Sequence, residues 1–388
     1  MVRPTILASL ALFALSAVPT IASAQVTAMV AAEPTSRVEA ASLSHANLEA
    51  SLGKAVGQSV TVTTSEDLAD VMRATRSAGY DVFIAPAQVA ASALQRGYEL
   101  LGATAQPEHY VLVGRTQIGQ TQDLRGRKIY LPQQDSIYTY MARGMLNANG
   151  LSLKDLSDVL YARYPQAGLV AVSLGSSDAT VIRSSDWDRW SRDNPGQGRL
   201  LATSSLVPGG LSVVVKKSLP ADVRVRIAKW FASSASVVGL LPVETGGELA
   251  NYKAVAELGL FTPQQLPGAS VVSAREVQQL VARGAVLVDT RTEKEYKTRH
   301  VPGAKFVPYH EKSLKDVAFD PKLDDFAGVD ALDKSKPTIF SCNGAECWKS
   351  YKASRAALGR GFKQVYWFRG GLPEWEQAAL PPQAPLID

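Results

Sequence analysis

Cysteine and histidine are both scarce in this 388-residue chain, and their scarcity removes several classes of chemistry. The two cysteines are Cys342 and Cys347, five positions apart. A disulfide framework that staples distant parts of a small exported domain is excluded, and two thiols alone make a poor zinc site. The four histidines, His45, His109, His300 and His310, show no metal-pair spacing, so neither metal nor cofactor is expected. Charged residues make up 20% and the formal charge is only +5, with no basic run, so nucleic acid is not an expected partner. Beyond residue 24 no stretch is apolar over the roughly 20 residues of a spanning helix, so the mature chain is expected to have no membrane span. Internal repeats and low-complexity segments are also lacking.

The remaining composition is that of a globular protein, 46% hydrophobic and long enough for two to three domains. Residues 1–24 read as an export leader. Arg3 gives a positive start, residues 6–18 an apolar core, and Ala22-Ser23-Ala24 a small-x-small cleavage site. Loss of Arg3 lowers the charge from +5 to +4, and the mature chain is expected in a bacterial periplasm. Residues 26–32, 59–64, 80–85 and 110–114 have strand character, and helical patterns lie between them. Ser65 is the expected cap of the helix opening at Leu68, and Pro86 ends the strand before it. This rhythm predicts an α/β domain. Trp187 and Trp190 share a helix face and are expected to pack inward. Residues 242–268 read as a helical connector at a domain boundary.

The chemistry concentrates in residues 338–350, Thr-Ile-Phe-Ser-Cys-Asn-Gly-Ala-Glu-Cys-Trp-Lys-Ser. A β-prone run ends at Cys342, a short loop follows, and a helical pattern begins behind Cys347. Free N–H groups at a helix start favour an anion and lower a thiol's pKa. Two readings of the pair stand. It is either a structural staple on a tiny loop, or a reactive pair in which Cys342 attacks and Cys347 resolves.

Three more blocks surround this loop: Asp289-Thr-Arg291 with Glu293 and Tyr296, the turn His300-Val-Pro-Gly-Ala304, and Gly370-Gly-Leu-Pro-Glu-Trp375. In this order, over residues 268–382, they resemble the rhodanese family. The resemblance implies an α/β domain with a parallel sheet and a Cys342 nucleophile that carries sulfur as a persulfide. It also implies substrate contacts from Asn343, Gly344, Ala345, Glu346, Trp348, Lys349 and Arg291, with Arg291 alternatively a structural partner of Asp289. The loop resembles the subgroup that closes on a Cys-Trp pair. Glu346 places negative charge in it and Lys349 is its one cation, which disfavours a thiosulfate dianion.

A second resemblance covers residues 26–250. Gly79-Tyr-Asp-Val-Phe-Ile-Ala-Pro86, Asp123-Leu-Arg-Gly-Arg-Lys-Ile129, Ser177-Asp-Ala-Thr-Val-Ile-Arg183 and Pro208-Gly-Gly-Leu211 together resemble periplasmic solute-binding proteins of the phosphonate-binding type. This implies two α/β lobes with a ligand between them. The candidate cleft comprises Asp135, Ser136, Tyr138 and Thr139, where N–H groups and hydroxyls at a helix start would hold an oxyanion, and Pro86 on the opposite lobe. Asp135 is either part of that site or only the helix cap.

The chain is thus expected to be α/β throughout: leader 1–24, a two-lobed periplasmic-binding-protein-like domain 25–250, a linker 251–267, a rhodanese-like domain with a parallel sheet 268–382, and a tail 383–388. The expected function is that of an exported sulfurtransferase with a small sulfur-containing or oxyanion substrate and a thiol acceptor. A thiol–disulfide redox protein and a non-catalytic binding protein are the alternatives.

Overall fold

The computed structural model describes residues 25–34, 45–77, 79–233, 235–243, 249–378 and 380; the leader and the tail lie outside them. Three five-stranded sheets carry the described chain. The first contains β1 (Val26–Val30), β2 (Val60–Thr64), β3 (Val82–Ala85), β4 (Tyr98–Glu108) and a strand that returns later, β10 (Val207–Lys216), in the order β2-β1-β3-β10-β4. β1 is parallel to β2 and β3, whereas β10 is antiparallel to β3 and β4. The second contains β5 (Tyr110–Gly114), β6 (Lys128–Leu131), β7 (Asp158–Tyr161), β8 (Ala179–Arg183) and β9 (Arg199–Thr203), in the order β7-β6-β8-β5-β9. The chain leaves the first sheet after β4, builds the second, and comes back as β10, which produces two lobes. The apolar run of β3 is buried along its whole length, as a central strand covered on both faces requires.

The third sheet is wholly parallel. It holds β11 (Ser270–Val271), β12 (Val286–Asp289), β13 (Lys305–Phe306), β14 (Thr338–Ser341) and β15 (Val365–Phe368), in the order β11-β15-β14-β12-β13. Side chains alternate across it: Leu287, Ile339 and Phe368 join one apolar layer with Trp375, while Val288, Phe340 and Val365 join the other with Phe362. β14 is thereby central, and its C-terminal end, where Cys342 follows, is held on both sides.

Two local expectations change. Asp67, not Ser65, caps the Leu68–Ser77 helix: its Oδ1 accepts from the Ala69 N–H at 2.8 Å, while Ser65 Oγ accepts from Asp67 itself. Trp187 and Trp190 stack at 5.6 Å but are only half-buried, packed on the rim of the lobe core. Within the connector, the Leu249–Glu257 helix inserts Tyr252, Val255 and Ala256 into the core of the lobes, and the chain beyond it crosses to the third sheet.

Candidate functional site

The cysteine loop is enclosed on every side. Cys342 and Cys347 are joined in a disulfide and are 2% and 4% exposed. Cys347 sits at the N-cap of the Trp348–Gly359 helix, and its N–H donates to the Gly344 carbonyl at 2.9 Å. Gly344 has φ +93°, the left-handed turn that lets the loop fold back. Behind it, Gly371 also has positive φ, and a Cβ there would collide with the Cys342 carbonyl, which accepts from the Leu372 N–H at 3.0 Å. Close backbone approach therefore explains Gly371, whereas a Cβ on Gly370 would meet the Glu374 side chain. Among the described residues no acceptor takes the N–H groups of Asn343, Gly344, Ala345 or Glu346, which leaves them available to an anionic sulfur.

Arg291 is 2% exposed and largely engaged within its own domain. It binds Asp289 through Nε and Nη2, the Arg299 carbonyl, and Asn343 Oδ1 at 3.0 Å. It therefore positions the loop through Asn343, whose amide also donates to Glu295. Trp348, expected at the substrate, instead locks the helix to the linker: Nε1 donates to the Leu260 carbonyl at 2.9 Å, and the ring packs with Leu266, Tyr351 and Trp367. The Ala345 carbonyl accepts from both the N–H and the hydroxyl of Thr262.

Glu346 and Lys349 behave differently from each other. Glu346, 7% exposed, is ion-paired with Arg96 of the first lobe, so the negative charge expected to face a substrate is neutralised from the other domain. Lys349 is 8% exposed, and its pKa is pushed down by burial and then by the charge of Arg73. It lines an interdomain cavity of about 940 Å³ that also borders Asp135 and Lys315.

In the lobe cleft the expected residues gather, but an acidic side chain of the protein already fills the cradle. Ser136 is the N-cap of the Ile137–Ala148 helix and is wholly buried. Its hydroxyl donates to Glu33 Oε2 at 2.7 Å, and the Ile137 N–H and Gln88 Nε2 donate to Glu33 Oε1 at 2.7 and 2.8 Å. Burial pushes the Glu33 carboxyl up, against the pull of these three donors. The Thr139 hydroxyl donates to the Gln133 carbonyl, and Tyr138 is buried edge-on to Tyr110. Pro86 caps the facing Ala87–Leu94 helix, next to Gln88. Asp135 is neither a cap nor a free ligand group. It pairs with Lys315 of the third-sheet domain, and although burial opposes it, this ammonium holds the Asp135 carboxyl below its usual range.

Sequence reasoning missed Glu33, Gln88, Arg96 and Thr262. Glu33 alone carried a signal: it follows β1 directly, at the strand ends where ligands of open α/β sheets bind.

Residues 30–236 match the family described as the periplasmic substrate-binding protein of a phosphonate ABC transporter, and residues 273–378 match the rhodanese-like domain. The thiosulfate sulfurtransferase GlpE of Ectopseudomonas mendocina (strain ymp) is 30% identical over 104 residues, which are 27% of this chain and 82% of that protein. Among solved structures, PhnD1 from Prochlorococcus marinus (MIT 9301) in complex with methylphosphonate is 13% identical, with 60% of this chain and 97% of that one covered and a TM-score of 0.46. A Xanthomonas citri protein bound to ATP is 14% identical, with the same 60% and 97% covered and a TM-score of 0.47.

Proposed function

The chain belongs to the periplasmic phosphonate-binding family and carries a rhodanese-like domain behind it, and from that premise we propose that it is an exported sulfurtransferase using Cys342 as the sulfur carrier. The loop is read as one of the Cys-Trp subgroup, with functional domains at 25–250 and 268–382 and the leader 1–24 removed on export. The observation that carries the reading is the placement of Cys342, at the end of the central parallel strand and under a row of unengaged N–H groups. After a dithiol reductant opens the disulfide, the Cys342 thiolate attacks the sulfane sulfur of a donor. The donor's sulfur–sulfur bond breaks, its remainder leaves with the electron pair, and a Cys342 persulfide forms. A thiol or cyanide acceptor then takes the terminal sulfur.

The second cysteine gives a concrete exit from that state. Cys347 attacks Cys342 at its sulfur, the carried atom leaves as hydrosulfide after taking one proton, and the Cys342–Cys347 disulfide remains. This bond is the state in the structure, which also favours the second reading, a thiol–disulfide redox protein. The binding domain is read as a module for a small anionic solute, and an anion entering its cleft must displace Glu33. Intact mass separates the two cysteine readings. Reduced protein treated with thiosulfate should gain one sulfur atom, and Cys342→Ser should gain none. Loss of two hydrogens without added sulfur would support the redox pair instead.

A further inference from the structure

Where the domains meet, Lys349 and Arg76 are buried cations that form no ion pair among the described residues. Lys349 stands in the first turn of the Trp348–Gly359 helix, two residues beyond Cys347, and makes no hydrogen bond or ion pair with any described residue. Arg76, on the Leu68–Ser77 helix of the first lobe, is 7% exposed and its Nε is buried with no partner. The nearby acids are committed elsewhere. Glu295 accepts from Thr292 and Asn343, Glu311 is paired with Lys352 at 2.7 Å, and Asp135 is paired with Lys315.

Lys349 and Arg73 both line the cavity of about 940 Å³ between the domains, and Arg73 also borders a second cavity of about 650 Å³ beside Arg291. Arg73 keeps one acid, Asp70, on its own helix. Burial and then the Arg73 charge disfavour a proton on Lys349; Glu295 and Glu311 pull the other way, each more strongly than the Arg76 charge pushes. Like charges from two domains, partly removed from water and only partly compensated, are unfavourable until an anion joins them.

We propose that this cavity is a shared oxyanion site, in which Lys349 and Arg73 hold a small, multiply charged anion of the sulfate and thiosulfate class beside the cysteine loop, with the Arg76 charge behind them. The class of anion rests on the sulfur-transfer reading; the existence of the site does not. Neither domain alone completes it, since Lys349 comes from one and the arginines from the other. Lys349 follows Cys347 by two residues, so the site adjoins the helix that the cysteine loop opens.

Sulfate is the probe, titrated calorimetrically into the full chain with its disulfide intact, so that no sulfur transfer takes place. Sulfate should bind to the wild type, chloride at equal ionic strength should not, and Lys349→Met should weaken sulfate at least tenfold. Lys349→Arg should stay within a few-fold, and Arg73→Gln should weaken binding several-fold. Without sulfate, Lys349→Met should melt at a higher temperature than the wild type, because a buried unpaired charge has gone; a lysine needed for structure would give the opposite shift. Absence of sulfate binding in the wild type, or equal affinity in Lys349→Met, overturns the proposal. Either failure leaves persulfide formation untouched, and failure of persulfide formation leaves the sulfate titration standing.

Discussion

Replacing Glu33 by alanine tests whether the lobe cleft is an anion cradle filled from within. The substitution strips the partner from Gln88 Nε2, Ser136 Oγ and the Ile137 N–H, all within 2.8 Å of the carboxylate. Hydrogen bonds to a charged group contribute about 1.5–3 kcal/mol each, but burying the carboxylate opposes them. The net loss at neutral pH should therefore be about 1–3 kcal/mol rather than the sum. The sign with pH is fixed by the raised carboxyl pKa, which burial causes. A carboxyl with a higher pKa folded than unfolded binds more protons folded. Its contribution falls as pH rises from 4.5 through the folded value, so acidification across that window stabilises the wild type. That part of the profile should be missing in Glu33→Gln. The emptied cradle of Glu33→Ala should then accept inorganic phosphate, used as a small anionic probe. At a hundred times its Kd a ligand stabilises by about 2.7 kcal/mol, which for lobes of this size is a rise of about 5–10 °C. Scanning calorimetry in a Lys349→Met background removes the interdomain cavity from the comparison. Equal ligand shifts with and without Glu33 would refute the reasoning.

Two further outcomes concern the loop. Arg96→Ala leaves Glu346 buried and unpaired; because the Arg96 side chain is itself 23% exposed, the loss in urea unfolding should lie near the lower end of the range for broken buried pairs, about 3 kcal/mol, and most of it should return in Arg96→Ala combined with Glu346→Gln. Gly371→Ala forces a side chain into a positive-φ position against the Cys342 carbonyl, so it should destabilise by more than about 1 kcal/mol and abolish sulfur uptake in the mass assay.

The strand-end position of Cys342 was legible from local pattern, through apolar alternation, turn glycines and a break in period from strand to helix, whereas the two-lobed and parallel-sheet architectures came with the family resemblances. Ser136 was likewise readable as a residue of the helix start. What it binds was not, since Glu33 lies 103 positions away, and the Asp135 partner, Lys315, lies 180 positions away in the other domain. Asp135 had two local readings, and a distant charge supplied a third. Arg291 had two as well, and its neighbours favour the structural one. Its Nε and Nη2 are spent on Asp289 and the Arg299 carbonyl, and Nη1 reaches Asn343.

The same distance effect reverses the electrostatic argument drawn from the loop alone. Taken by itself, a loop with Glu346 repels a dianion, and a single lysine does little to offset that. In the folded chain Glu346 is matched by Arg96, which lies 250 positions upstream, and Lys349 is joined by Arg73 and Arg76 from the same lobe. The charges of Glu346 and Lys349 are thus balanced in part by the binding domain and not only by the domain that contains the cysteine. A rhodanese-like domain cut free of its partner would regain the uncompensated Glu346 and lose the two arginines. Its affinity for anions would then reflect the bare loop, which is why the full chain is the form in which anion binding and sulfur transfer have to be measured.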